Sequence, residues 1–403
     1  MKLEHPNQQI SMNCPLPQPL LQPWILGDIP LKNRSVMAPM TRTRADNSEH
    51  LANDLMREYY AQRASAGLII SEGTWVSEEA ICQMNVPGLY TIQQAEAWKK
   101  VTDGVHEKGG IIFAQLWHAG SVSHPDYQKE GKAPIAPSAV NPLLEVYTPK
   151  GKKRTVAPRE MTLEDIARTV AAFENSAAMA SRAGFDGIQI QAGFIYLLQQ
   201  FHHATTNLRT DQFGGNVENR TRFLFEVLEA VLKVWPSERV GVKTGPMMTE
   251  QGVFKAIEST LRTHEYIFDR LNSYNLSHVM LMGEPAGRGL NGADVSATPL
   301  AHLKGEAIFR YFRRGYRGNL ILSTGINHSR ANQLLEEGVG DLIAFGREFI
   351  SSPDLVERFA RHEALNEQRP ESFYGVGPVG YTDYPFLEIT QNAEASMSQR
   401  KKI

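Results

Sequence analysis

The sequence predicts an α/β protein with a single-domain (β/α)8 barrel. Short apolar runs rich in β-branched residues alternate along the chain with longer segments of helical periodicity. Eight such runs occur, and they are apolar throughout rather than alternating, as is typical of strands covered on both faces. A doubly wound sheet is the alternative, but it seldom needs eight evenly repeated units in one chain.

The eight predicted strands are spaced so that a helix fits between each pair. They are SVMAP (35–39), GLIISEG (67–73), GIIFAQLW (110–117), DGIQIQ (186–191), RVGVKT (239–244), HVMLM (278–282), NLILSTG (319–325) and DLIAFG (341–346). Connections between parallel strands are right-handed by default, so this order predicts a closed barrel with its helices outside.

Helical patterns fill the intervals, and two of them carry clear start or stop signals. The segment 162–183 begins at Thr162 with Asp165 at the N3 position, which is close to a capping box. The segment 93–109 ends at Gly109, a typical C-terminal stop. The other helices are expected at about 53–65, 218–235, 258–274, 304–315, 328–337 and 353–363.

The connection between the third and fourth strands is the longest, at about 45 residues. It follows a strand, so it should lie on the C-terminal face of the barrel, where active sites form in this fold. We expect a hairpin-like cover over the site. The barrel is predicted to span 23–385, after an N-terminal extension (1–22) and before a polar C-terminal tail (386–403).

Composition narrows the classes of partner and compartment. The net charge of −2 gives no reason to expect nucleic acid or a membrane surface as partner. Two cysteines, Cys14 and Cys82, form no disulfide framework and fit a reducing compartment. No secretory h-region and no run of 18 apolar residues occurs. We expect a soluble cytoplasmic protein, a monomer or homodimer, with a small-molecule substrate.

Two further motifs resemble ligand-binding patterns, but we expect no ligand at either of them. GRGLNG (287–292) has dinucleotide-binding spacing, but it does not directly join a strand to a helix, so a loop is expected. His202 and His203 are adjacent and cannot share one metal in helical i, i+4 geometry. No metal site is predicted.

A phosphate site is predicted where the seventh and eighth strands end. Phosphate sites of such barrels form from the loops after these two strands. Gly325 and Gly346 would let backbone N–H groups approach a phosphate, and Arg347 would add a bidentate charge. The plain alternative is that both glycines only form turns.

Seven blocks of sequence carry a family resemblance. They are NRSVMAPMTRTRA (33–45), LIISEGTWVS (68–77), AQLWHAGSVSHPD (114–126), APSAV (136–140), NLRTDQFGGNVENRTRF (207–223), DLIAFGREFISSPDL (341–355) and FYGVGPVGYTDYP (373–385). Together, and in this order, they resemble the Old Yellow Enzyme family of FMN-dependent ene-reductases. The resemblance runs from about Leu20 to Pro385 and implies a (β/α)8 barrel that binds FMN and uses NAD(P)H as reductant.

The resemblance also implies roles for individual residues around the flavin. Pro39, Met40 and Thr41 match the segment that lies along the isoalloxazine ring. Thr41 matches the residue that hydrogen-bonds flavin O4 and tunes its potential. Gly73 matches a small residue near the ring, and Gln115 matches the glutamine at the pyrimidine edge.

The phosphate and N1 ends of the flavin follow in the same way. Gly325, Gly346 and Arg347 match the family's phosphate site. Lys243 stands where the family usually has arginine near flavin N1. Lysine keeps a cation to stabilise the anion that forms on reduction, but it loses the planar bidentate fork.

The substrate side departs further from the family. The family pattern of His, then Asn or His three residues on, then Tyr falls on Gln191, Phe194 and Tyr196. In the family the first pair donates to the substrate carbonyl, and the tyrosine protonates the α-carbon. Phe194 has no donor, and losing one such donor costs about 10²–10³ in rate. Ile195 replaces a usual glycine, and Tyr374 matches an aromatic near the substrate mouth.

Three functions remain open at this point. The first is NAD(P)H-driven reduction of an activated C=C bond by hydride from flavin N5, with Tyr196 as proton donor and Gln191 and Thr41 as further catalytic residues. The second is an FMN-dependent desaturase, isomerase or cyclase acting on a specialised metabolite. The third is a non-catalytic flavoprotein.

Overall fold

A computed structural model describes residues 18–246, 252–283 and 298–388, and a closed barrel of eight parallel strands forms its centre. The strands, numbered along the chain, are β1 (Trp24–Leu26), β2 (Ile29–Leu31), β3 (Ser35–Met37), β4 (Leu68–Trp75), β5 (Ile112–Trp117), β6 (Ile135–Ala136), β7 (Glu145–Thr148), β8 (Gly151–Arg154), β9 (Arg159–Glu160), β10 (Gly187–Gln191), β11 (Val240–Thr244), β12 (His278–Met282), β13 (Leu320–Ser323) and β14 (Leu342–Phe345). The barrel order is β3-β4-β5-β10-β11-β12-β13-β14, closed by pairing of β14 with β3. All eight predicted strands are therefore barrel strands, and the predicted (β/α)8 fold is confirmed.

The helices lie between the barrel strands as predicted. They are α1 (Asp54–Gln62), α2 (Ile92–His106), α3 (Leu163–Arg182), α4 (Leu197–His202), α5 (Val217–Leu232), α6 (Glu258–Leu271), α7 (Ala307–Gly315), α8 (His328–Glu336), α9 (Arg347–Ser351) and α10 (Leu355–Arg361). The predicted capping box is present: Thr162 Oγ1 accepts from the backbone N–H of Asp165, whose carboxylate accepts from Thr162 N. Among the α-helices of the described residues, the short helices α4 and α9 are the ones that the sequence did not predict.

Two apolar layers hold the barrel together. Ile69 of β4 packs with the outer helices, whereas its neighbour Ile70 belongs to a separate cluster that includes Phe113 and Ile321. Adjacent strand residues point to opposite faces, so this second cluster fills the barrel interior. The hairpin of β1 and β2 adds Leu26 to it and closes the barrel at the ends where the strands begin.

The long connection after β5 contains the expected hairpin, formed by antiparallel β7 and β8. Val146 of this hairpin packs with Ile195 and Phe254 in a small apolar cluster that also contacts Phe194 and Tyr196. The hairpin therefore reaches the segment predicted to bind substrate. The GRGLNG motif (287–292) lies outside the described residues. Among the helices of the described part of the chain, none is long and apolar enough to cross a bilayer.

Candidate active site

A cavity of about 210 Å³ opens at the carboxyl ends of the barrel strands and joins most of the predicted site residues. Its lining consists of Pro39, Thr41, Gly73, Gln115, Trp117, Gln191, Phe194, Tyr196, Lys243 and Met282. Trp117 and Met282 are the two that the sequence did not predict. A larger cleft of about 1090 Å³ lies on the outer surface beside α1, α2 and α10, and it contains none of the predicted site residues.

Strand pairing explains how distant residues meet in this cavity. Gln191 on β10 lies in register with Lys243 on β11, and Gly73 on β4 lies in register with Gln115 on β5. A β-bulge precedes Gly73 in that pairing. A Cβ at Gly73 would lie only 2.6 Å from the indole of Trp117, so glycine is required here for ring packing as well as for access to the cavity.

Lys243 is the cation among the lining residues, and its ammonium group forms no hydrogen bond or ion pair with the described residues. Burial lowers the pKa of Lys243 to about 8 because the charged form loses solvation. A partly desolvated ammonium group without a counter-ion suits a ligand that carries or develops negative charge beside it. This arrangement fits the N1 edge of a flavin.

The predicted phosphate residues lie together on neighbouring loops. β13 and β14 pair through Ser323 and Ala344, and Gly325 and Gly346 each follow two residues later. Gly325 has a φ of +74°, a conformation that favours glycine. Gly346 caps the start of α9, which places backbone N–H groups at this end of the barrel.

Arg347 and Met40 complete this end of the site. Arg347 is exposed, and its guanidinium makes no hydrogen bond with the described residues. A Cβ on Gly346 would lie 3.3 Å from Met40 Sδ, so the residue between the lining residues Pro39 and Thr41 packs against a phosphate loop. The residues present therefore fit FMN, with a cation at the ring and two glycine loops plus Arg347 at the phosphate.

An aromatic wall forms the substrate side. Trp117 contacts Tyr196 edge to face with ring centroids 4.7 Å apart, and the Phe194 ring lies 5.6 Å from Tyr196. Trp75 stacks behind Trp117 at 4.2 Å. Burial raises the pKa of Tyr196, so its phenol stays protonated at neutral pH and can donate a proton. The Tyr196 hydroxyl has no hydrogen-bond partner among the described residues.

The altered pair, Gln191 and Phe194, also faces this cavity. Gln191 Oε1 is buried without a hydrogen-bond partner, so the amide is not engaged by the described part of the chain. Phe194 has a φ of +61°, a left-handed conformation that costs a non-glycine residue about 1 kcal/mol. The pair therefore offers one amide instead of two polar side chains, and the Tyr196 hydroxyl is the other polar group on this side of the cavity.

Two residues outside the cavity, Tyr374 and Gln200, affect the segment that carries Phe194 and Tyr196. Tyr374 is 63% exposed and lies beyond the lining, although it is close enough to Tyr196 to raise its pKa further. Gln200, which the sequence did not indicate, donates to the carbonyl of Ile195 at 2.7 Å and to that of Ala119 at 3.0 Å. These bonds brace the turn that carries Phe194.

Comparison with known proteins places this geometry in a family. The model of the NADH:flavin oxidoreductase / NADH oxidase family matches residues 19–366, most of the chain. The chain belongs to this family. The resemblance to Old Yellow Enzyme is thus confirmed, and with it the class of FMN-dependent NAD(P)H oxidoreductases of the ene-reductase type.

Individual relatives of this oxidoreductase family agree over nearly the whole chain. A protein of Leishmania infantum whose name describes a flavin mononucleotide-dependent alkene reductase is 35% identical over 91% of this chain and 97% of its own. The structure of morphinone reductase in complex with tetrahydroNAD has a TM-score of 0.83 at 38% identity, covering 92% and 98% of the two chains. The Old Yellow Enzyme homologue from Zymomonas mobilis has a TM-score of 0.84 at 37% identity, covering 91% and 99%.

Proposed function

We propose that this protein binds FMN, with the flavin ring in the 210 Å³ cavity and the phosphate at the loops that carry Gly325 and Gly346, and reduces an activated C=C bond at the expense of NAD(P)H. The observation that carries the proposal is the meeting, in one cavity, of Thr41, Gln115 and Lys243 with Tyr196. A bound FMN would supply hydride-transfer chemistry between NAD(P)H and the electron-poor carbon of a substrate. The protein's own residues bind, orient and protonate.

Lys243 and the residues on the substrate side have separate tasks in the proposed reaction. Tyr196 donates its phenolic proton to the carbon next to the substrate carbonyl and regains a proton from water. Gln191 holds the carbonyl oxygen through its amide N–H. Lys243 keeps positive charge beside the flavin ring, where reduction places negative charge. Trp117 and Phe194 exclude water from the reacting carbons.

Tyr196→Phe tests the proton-donor role, because it removes the hydroxyl and keeps the ring. We expect reduction of the bound flavin by NADPH to proceed at the wild-type rate. Reoxidation by 2-cyclohexenone should slow by about 10²–10⁴-fold, the usual contribution of a general acid. Tyr147→Phe on the exposed face of β7 is the matched control and should leave both rates unchanged. Reoxidation at the wild-type rate in Tyr196→Phe would rule out this role.

Phe194 favours a second candidate function. It removes one of two donors that would hold a carbonyl oxygen, and its ring presents an apolar surface to the substrate. A site of this kind suits FMN-dependent desaturation, isomerisation or cyclisation of a largely apolar specialised metabolite. Desaturation would pass two electrons from the substrate to FMN, with oxygen as the terminal oxidant, whereas isomerisation and cyclisation are redox-neutral. None of these reactions would consume NAD(P)H.

A double variant distinguishes the two functions. Gln191→His with Phe194→Asn restores two donors, and it should raise 2-cyclohexenone turnover by about 10²-fold if the native site has left the standard reaction. Steady-state NADPH oxidation under anaerobic conditions provides the measurement. Fast wild-type turnover with no gain in the double variant would eliminate the second candidate.

A further inference from the structure

A row of residues crosses the barrel interior directly beneath the cavity. Gln115, Gln189, Gly241 and His278 lie in register on the neighbouring strands β5, β10, β11 and β12. Phe113, two residues before Gln115 on the same face, belongs to the interior apolar cluster. The row is therefore a polar layer between the apolar end of the barrel and the proposed flavin.

Gly241 has no side chain, and this leaves the space through which His278 reaches Gln189. A Cβ on Gly241 would lie 2.2 Å from Cε1 of His278, so the imidazole occupies the volume that a larger residue would fill. His278 thereby reaches past β11, and its Nε2 lies 2.8 Å from Nε2 of Gln189. On the other side of the ring, Nδ1 lies 3.0 Å from Ser277 Oγ. Gln115 Nε2 donates to Gln189 Oε1 at 2.7 Å.

The acceptors around Gln189 set the direction of these hydrogen bonds. Its amide nitrogen faces both His278 Nε2 and, at 3.9 Å, the thioether sulfur of Met280. Burial lowers the pKa of His278 to about 3, so the ring is neutral. With its proton on Nδ1, which faces Ser277 Oγ, the ring accepts at Nε2 from the Gln189 amide. The carbonyl oxygen of Gln189 is left for Gln115, which must donate through its own amide nitrogen.

We propose that Gln189 and His278 are positioning residues that fix the Gln115 amide with its Oε1 towards the cavity, as an acceptor for the N3–H of bound flavin. The inference rests on the proposed cofactor and adds one defined orientation for the residue at its pyrimidine edge. If the chain of hydrogen bonds were broken, the amide could turn over and set its own N–H against the flavin N–H. Two donors facing each other would leave both unsatisfied.

Gln189→Met tests the chain, since it keeps the side-chain length and removes both polar atoms. The readouts are the ¹H–¹⁵N resonance and exchange rate of N3–H in protein reconstituted with ¹⁵N-labelled FMN, and the FMN Kd. We expect the Kd to rise about tenfold, as for one lost hydrogen bond, with faster N3–H exchange. Gln199→Met, the same change at an equally buried glutamine of α4, is the matched control and should leave both at wild-type values.

His278→Phe is a second, independent variant. It keeps a ring beside Phe113, whose centroid is 5.9 Å away, and removes the acceptor for Gln189. The same changes in Kd and N3–H exchange are expected, and this variant decides the matter if Gln189→Met does not fold. Wild-type Kd and an unmoved N3–H resonance in both would overturn the positioning role. Wild-type protein that binds no FMN would instead refute the proposed cofactor, so the two failures differ.

Discussion

At the scale of single residues, Lys243 makes the site dependent on pH. Burial lowers its pKa to about 8, so the cavity loses its cation as the pH rises through that value. We expect the FMN Kd to rise about fivefold or more between pH 7 and pH 9.5, because a charged donor binds more strongly than a neutral one. Lys243→Arg, whose charge does not titrate in this range, should flatten the dependence. Equal pH profiles in the two proteins would contradict this.

The buried carboxyl group of Glu72, next to Gly73, should make the unfolding free energy depend on pH. It is fully buried, and burial raises its pKa to about 7 although its Oε2 accepts a 3.4 Å hydrogen bond from the backbone of Arg42. A raised carboxyl pKa adds stability at low pH that is lost as the pH rises from about 4.5 through 7. Glu72→Gln removes this loss, so its advantage in unfolding free energy should grow by about 2 kcal/mol from pH 5 to pH 8. If the unfolding free energies of Glu72→Gln and the wild type differ by the same amount at pH 5 and pH 8, the raised pKa of Glu72 would be contradicted.

The sequence predicted most residues of the site but not their surroundings. Thr41 and Gln115 were identified because they sit in sequence blocks that resemble a family, and Tyr196 because it falls on the tyrosine of the family's His, Asn or His, and Tyr pattern. Trp117 was missed, although it lies two residues after Gln115 and strand periodicity puts it on the same side. The left-handed φ of Phe194 had no signal, because phenylalanine does not favour that conformation.

At the scale of elements, two buried arginines join the end of β3 to the C-terminal segment 372–380. Arg42 donates to the carbonyls of Phe373 at 2.9 Å and Gly380 at 2.7 Å. Arg44 donates to those of Ser372 at 3.1 Å and Val379 at 2.9 Å. Both arginines follow Thr41 closely in the chain, and Thr41 is the residue proposed to contact flavin O4. Their hydrogen bonds therefore fix the position of Thr41 relative to the segment that carries Tyr374.

Arg44→Met removes the charged donors of this contact and keeps an apolar stem. We expect a loss of about 2–4 kcal/mol in unfolding free energy, from several unsatisfied buried carbonyls, and faster amide exchange within 372–380. Hydrogen exchange followed by mass spectrometry measures the local effect, and Tm the global one. Arg314→Met, at an exposed arginine of α7, is the control. Unchanged exchange in 372–380 would show that the segment is held by other contacts.

The helices α1 and α3 and the long barrel strands were predictable because each carries a local pattern. The helix α4 (Leu197–His202) was not, because all of its residues are buried and it therefore has no amphipathic period. Its first residue also follows Tyr196, which provides no side-chain cap. Burial on all sides hides a short helix from sequence patterns.

At the scale of the whole molecule, the barrel register assembles the site. Gln115 and His278 are 163 residues apart in sequence, yet strand pairing and the gap at Gly241 connect them through Gln189. Such an arrangement depends on the closure of eight strands, so no local pattern reports it. The number and spacing of the strands were enough to predict the fold class. The polar layer beneath the cavity could be recognised only once the pairing register of the barrel strands was known.

The central claim is that this cavity holds an FMN that exchanges hydride with NAD(P)H and with an electron-poor acceptor. An anaerobic titration of FMN-reconstituted protein with NADPH, followed by addition of 2-cyclohexenone, tests it directly in the visible absorption band of the oxidised flavin. We predict that NADPH bleaches this band and that the acceptor restores it. Protein that takes up no FMN, or whose flavin stays oxidised with excess NADPH, would contradict the account.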